Sequence, residues 1–62
     1  MDPDEALKEI RRLAVIVRDR CDRGEDPDVD GAASDLAEAV RGLDEWLSVG
    51  GFLPSAWAAG RA

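Results

Sequence analysis

The hydrophobic positions of the first part of the chain recur every three or four residues, a spacing typical of an amphipathic helix. Asp2 followed by Pro3 and Glu5 is a helix-start signal, since aspartate caps the first turn and proline suits the first helical position. Gly24 is a helix-end signal. The pattern predicts a first helix over about 3–23, with a stripe formed by Leu7, Ile10, Ala14, Val17 and Cys21.

A second helix is predicted over about 30–49, after a loop over 24–29. The loop is rich in aspartate, proline and glycine, which favour turns, and either Asp28 or Asp30 is expected to cap the helix. Gly50 and Gly51 are expected to end it. Its stripe consists of Ala33, Leu36, Val40, Leu43 and Leu47.

Two helices of similar length joined by a short loop are expected to lie antiparallel as a hairpin. The aromatic tail over 50–62 contains Leu53 and Pro54, which predict a single helical turn. Phe52 and Trp57 are then expected to fold back onto the hairpin or onto a neighbouring chain. The predicted fold class is all-α, with residues 1–62 forming one domain.

The apolar part of the first helix is wider than one partner helix covers. Ala6, Leu13 and Ile16 lie beside the stripe, so the apolar sector spans roughly half of the circumference at ~100° per residue. We therefore expect two hairpins to dimerise into a four-helix bundle. The predicted self-association interface is Ile10, Leu13, Ile16, Val17, Trp46, Phe52 and Trp57.

The length of 62 residues strengthens this expectation. A chain this short buries only about 60% of its unfolded surface and usually needs a disulfide, a metal or a partner subunit. The sequence has one cysteine and no histidine, which excludes an internal disulfide and the usual zinc sites. Cys21 lies on the apolar stripe, so we expect it to be a small buried residue.

The net charge of −6 is unevenly distributed, since residues 1–24 carry six acidic and six basic side chains and balance to zero. Residues 25–45 contain eight acidic side chains against Arg41 alone. This surface repels nucleic-acid phosphate and favours a basic surface on a host protein. The acidic start does not suit a signal peptide, and the longest apolar run, Leu13 to Val17, is too short to span a bilayer. We expect a cytoplasmic protein that does not bind a membrane.

An alternative function is calcium binding by the loop. Asp26, Asp28, Asp30 and Gly31 match the opening of an EF-hand loop, in which alternate carboxylates surround the ion. The twelfth position, which needs a glutamate, is Ala37. These aspartates are therefore weak candidates, and the preferred interpretation is an acidic turn with no metal or cofactor.

A second alternative is an acidic mimic of DNA that inhibits a nucleic-acid enzyme. The evidence for it is the same excess of carboxylates. An enzyme is not predicted. The neighbouring acids Asp44 and Glu45 are expected on an exposed helix face, whereas acid–base catalysis needs carboxylates that converge on a pocket.

The segment from Leu43 to Trp57 reads LDEWLSVGGFLPSAW. It resembles a recurring ending in small uncharacterised proteins of actinobacteria and their bacteriophages. The resemblance covers about a quarter of the chain and implies an accessory phage or bacterial protein in the host cytoplasm. It implies no catalytic residue, cofactor or mechanism.

Overall fold

A computed structural model of the chain describes residues 1–59 and contains three helices. They are α1 (Pro3–Asp22), α2 (Ala32–Ser48) and α3 (Ser55–Ala58). Within residues 1–59 there is no strand, and the two long helices pack against each other. The all-α prediction and the helical hairpin are confirmed, together with the short helical turn in the tail. The last part of the predicted tail, 60–62, lies outside the described residues.

Both ends of α1 form as the local sequence predicts. Asp2 is the N-cap, and its carboxylate accepts hydrogen bonds from the backbone N–H groups of Asp4 and Glu5. At the other end Gly24 has a φ of 73°, and the Glu25 N–H reaches back to the carbonyl of Arg20 at 2.9 Å. This Schellman arrangement satisfies carbonyls that the last helical turn leaves unpaired.

The start of α2 lies two residues later than predicted, because Gly31 takes the N-cap position with a φ of 81°. A glycine has no side chain to cap the helix, and the two predicted aspartates perform this role from outside it. Asp30 accepts from the Ala32 N–H at 3.3 Å, and Asp28 accepts from the Ser34 N–H at 3.0 Å. The prediction named either aspartate, and the structure uses both.

The core is small and lies between α1 and α2. Its buried hydrophobic residues are Leu7, Leu13, Ala32 and Leu43, each with 3–6% of its surface exposed. Pro3 and Pro54 are fully buried beside them. The proline of the tail therefore belongs to the core of its own chain.

The predicted stripe of α1 is wrong in its second half, because Ala14 and Cys21 are exposed. The buried face moves around the helix from Leu7 to Leu13, and Arg20 rather than Cys21 turns inward near its end. An α-helix has 3.6 residues per turn, so a straight 3.5-residue stripe drifts away from a helix packed across it.

The C-terminal segment folds back onto the beginning of α1. The Ser55 N–H and hydroxyl both donate to the carboxylate of Asp4, which is 51 positions earlier in the sequence. These bonds lower the pKa of Asp4, the backbone N–H of Ser55 being the larger cause. Residues 53–55 therefore pack in cis, which the sequence left open.

Candidate interaction surfaces

The structure buries one residue of the predicted self-association interface and leaves the other six at least partly exposed. Leu13 is only 3% exposed within the single chain, so it has no area to offer a partner. The reason is the rotation of the buried face of α1, which turns Leu13 toward α2. Phe52 and Trp57 are exposed, at 67% and 41%. Those that remain are half-buried: Ile10, Ile16, Val17 and Trp46.

In the described part of the chain, more large hydrophobic side chains are exposed at the surface than hydrophobic side chains are buried in the core. Only four hydrophobic residues form the core, whereas seven large ones are exposed by between 41% and 83%. The exposed set is Met1, Val15, Val29, Val40, Val49, Phe52 and Trp57.

The aromatic tail is held in position by the end of α2. The Trp46 Nε1–H donates to the carbonyl of Phe52 at 2.9 Å, and the two rings meet edge to face with their centroids 5.4 Å apart. Edge-to-face packing is a favourable aromatic geometry. Because the polar atom of Trp46 is already satisfied, the pair presents mainly apolar surface around the exposed ring of Phe52.

A groove of about 370 Å³ lies between α1 and α2, on the side that carries Leu13 and Gly42. Five of the residues that line it are apolar, here called its base, and three are acidic, here called its border. The residues that line it are Met1, Ala6, Glu9, Leu13, Asp35, Glu38, Ala39 and Gly42. Sequence reasoning did not identify this groove, although a glycine inside the pattern of α2 was a visible signal.

The carboxylates of the groove differ in their partners. Glu9 accepts from the Arg12 guanidinium at 3.0 Å, and this hydrogen bond lowers the pKa of Glu9 and raises that of Arg12. Asp35 lies close enough to raise the pKa of Arg12 further. Within residues 1–59, Glu38 has no hydrogen bond or ion pair, so its charge is available to a ligand.

The three aspartates of the loop do not converge on an ion. Asp30 forms a double hydrogen bond with the Arg20 guanidinium, at 2.6 and 2.9 Å, and this arginine lowers the pKa of Asp30 to about 2. Asp28 binds Ser34, and Asp26 accepts from the Asp28 N–H at 2.9 Å. Among the described residues no group of three acidic or cysteine side chains has a metal-binding arrangement.

None of the helices within residues 1–59 has both the length and the apolar character that crossing a membrane requires. Comparison of the chain with protein-family models, with curated proteins and with solved structures finds no match.

Proposed function

We propose that the chain is a small acidic interaction module in which two hairpins associate into a four-helix bundle. The observation that carries this proposal is that residues 1–59 include four buried hydrophobic residues but seven large hydrophobic residues that are exposed. Apolar area removed from water contributes about 25 cal/mol per Å², so a second copy that covers part of this exposed set, including Phe52 and Trp57, stabilises both chains. The predicted dimer therefore remains, with a revised set of contact residues.

The tail supplies the aromatic contacts of the proposed dimer. Phe52 and Trp57 are the two exposed aromatic residues, and aromatic side chains dominate the binding energy of many protein interfaces. Val40, 48% exposed, adds apolar area on α2. Leu13 is not part of this proposal because it is already buried in the single chain.

The charge of the chain favours a basic surface as the other partner of the dimer. The net charge is −6, and all of the acidic excess lies in residues 25–45, which carry eight acidic side chains and one basic one. Complementary charge accelerates the encounter of two proteins and selects the partner. We infer that the dimer leaves this acidic surface free for a basic protein.

The two alternative functions receive less support. In the calcium-binding alternative the Asp30 carboxylate has to exchange the Arg20 guanidinium for an ion, and Asp28 has to leave Ser34. In the DNA-mimic alternative an array of free carboxylates is required, yet six of the fourteen acidic side chains pair with arginines of the same chain.

Solution mass measured by light scattering over a concentration series tests the self-association. We expect the mass to rise from the 6.7 kDa of one chain to twice that value at micromolar concentration. The double variant Phe52→Ser/Trp57→Ser should stay monomeric while its circular dichroism remains helical. Val29→Ser is the matched control, because Val29 is 72% exposed but lies in the loop between α1 and α2.

Two results contradict the proposal. One is a wild-type chain that stays folded and monomeric up to millimolar concentration. The other is a double variant that dimerises as strongly as the Val29→Ser control, since the aromatic tail then contributes nothing.

A further inference from the structure

We propose that the groove over Gly42 binds a basic amphipathic helix of a partner protein. This inference rests on the proposed function for the sign of the partner's charge. It concerns a different surface from the aromatic tail, so the two proposals can fail separately.

Gly42 lies inside α2 at a position where nothing in the single chain requires a glycine. Glycine inside a helix makes the helix less stable than alanine does. A Cβ built on Gly42 would meet only the terminal methyl group of Met1, at 3.5 Å, which is an ordinary contact. The close approach of another backbone is a reason for glycine at such a position. A partner helix that crosses α2 at Gly42 would therefore meet no side chain of α2 at that position.

The base of the groove provides an adaptable apolar surface. Ala6 and Ala39 line it and are partly exposed, and the side chain of Met1 extends over Gly42 while remaining 58% exposed. Leu13 also lines the groove but, at 3% exposure, adds almost no contact area. Methionine is flexible and polarisable, and it is common at surfaces that adjust to a hydrophobic partner. A leucine or methionine of the incoming helix can contact this base after Met1 shifts.

The border of the groove selects for positive charge. Glu38, Asp35 and Glu9 line the groove together with the apolar base. Glu38 forms no ion pair within the described residues, because the nearby Arg41 pairs with Glu45 instead. A lysine or arginine can lay its aliphatic stem on the base and place its charged end among the carboxylates. A second copy of this chain is a poor occupant of the groove, because the three acidic residues of the border would repel the acidic residues 25–45 of that copy.

The dimensions of the groove suit about two turns of a helix. On α1 it extends from Ala6 to Leu13, a distance of about 10 Å at ~1.5 Å per residue. The partner helix is therefore expected to present one apolar side chain to the base, with basic side chains one turn before and after it.

Fluorescence anisotropy with a dye-labelled synthetic peptide tests the proposal on the full chain. The probe is a peptide of about five helical turns, made of leucine and lysine in an amphipathic pattern. The same peptide with glutamate in place of lysine is the reference. We expect the lysine peptide to bind and the glutamate peptide not to bind.

Two variants of the chain locate the binding site. Gly42→Leu places a large side chain in the groove, and leucine is a good helix former, so α2 should stay folded. We expect this variant to weaken peptide binding about tenfold or more, since the backbone of the peptide helix can no longer approach α2 closely. Asp35→Asn/Glu38→Gln should weaken binding about tenfold, from a few-fold for each exposed ion pair. Glu25→Gln/Asp44→Asn removes the same charge outside the groove, and it should change binding less than twofold after salt is matched.

The proposal is overturned if the lysine peptide does not bind or if Gly42→Leu binds it as tightly as wild type. It is also overturned if the charge variant in the groove and the charge variant outside it lose the same amount of affinity for the peptide. The groove variants should keep the solution mass of wild type, and the tail variant Phe52→Ser/Trp57→Ser should keep peptide binding. A chain that binds the peptide, and whose solution mass stays that of one chain up to millimolar concentration, supports the groove and rejects the bundle.

Discussion

The indole ring of Trp46 occupies the space that a side chain on Gly51 would need. A Cβ built on Gly51 overlaps three atoms of the ring, including Nε1. The preceding residue, Gly50, has a φ of 91°, and the Gly51 N–H donates to the carbonyl of Trp46 at 2.9 Å. The glycine pair therefore ends α2 and also seats the tryptophan that holds the tail.

Gly51→Ala is expected to lower the free energy of unfolding by about 2 kcal/mol, since the added methyl group forces the indole of Trp46 or the backbone to move. Urea denaturation followed by circular dichroism measures this change. Tryptophan fluorescence in a Trp57→Phe background reports whether the indole has moved. A variant as stable as wild type would show that the turn after α2 does not need this glycine.

Gly42→Ala is expected to have the opposite effect and to raise the free energy of unfolding by about 0.5–1 kcal/mol. Gly42 lies inside α2, and a Cβ there meets only the flexible end of Met1 at 3.5 Å. Urea denaturation of Gly42→Ala, run in parallel with Gly51→Ala, measures this change in the free energy of unfolding. A loss of stability would mean that the hairpin itself needs this glycine, which would remove the first support for the helix-binding groove.

The ends of the helices follow from the sequence because their determinants are local. Asp2, Gly24 and Gly50 each act within one helical turn, and each has the predicted role. The start of α2 was less accurate, since a sequence with Asp28 and Asp30 in one loop does not reveal that Gly31 takes the N-cap position.

The facing surfaces of the helices do not follow from the sequence, because they depend on how the two helices cross. A spacing of three or four residues fits both the predicted stripe and the observed face, which exchanges Ala14 and Cys21 for Leu13 and Arg20. The position of the tail cannot be predicted from the local sequence either. Its bond to Asp4 joins positions 51 apart, and no local pattern indicates such a contact.

Asp4→Asn is expected to loosen the tail without unfolding the hairpin. The carboxylate of Asp4 accepts both hydrogen bonds from Ser55, and a neutral amide is a weaker acceptor with only one oxygen. Hydrogen exchange by NMR should become faster at the amides of Trp57 and Ala58, while the amides of α2 keep their protection. Glu5→Gln is the control, a change of equal charge one residue away, and it should leave the tail unaffected.

The stability of the chain is expected to decrease as the pH falls from about 4 toward 2. Arg20 holds the pKa of Asp30 at about 2, below the ordinary aspartate value near ~3.9. A carboxylate with a lower pKa in the folded chain stabilises it above its unfolded pKa, and this contribution is lost as the pH falls through the folded value. Asp4 and Asp28 shift in the same direction.

Melting temperatures measured over this pH range test the role of Asp30. Asp30→Asn should flatten the decrease below pH 4 and should lower stability at neutral pH, where the pair with Arg20 is complete. Asp44→Asn changes the charge equally and should keep the wild-type slope. Parallel curves for wild type and Asp30→Asn would show that the pair does not contribute to folding.

Leu13→Ala is expected to destabilise the single chain by about 3 kcal/mol, because it removes a large side chain that is only 3% exposed. Val15→Ala, at a position 70% exposed on the same helix, should change stability by less than about 0.5 kcal/mol. Denaturation at several protein concentrations separates two roles for Leu13. A core residue gives the same loss at every concentration, whereas a residue of the dimer interface gives a loss that appears only where wild type is dimeric. Since domains of this size have about 3–9 kcal/mol of total stability, a concentration-independent loss of this size would leave the chain barely folded.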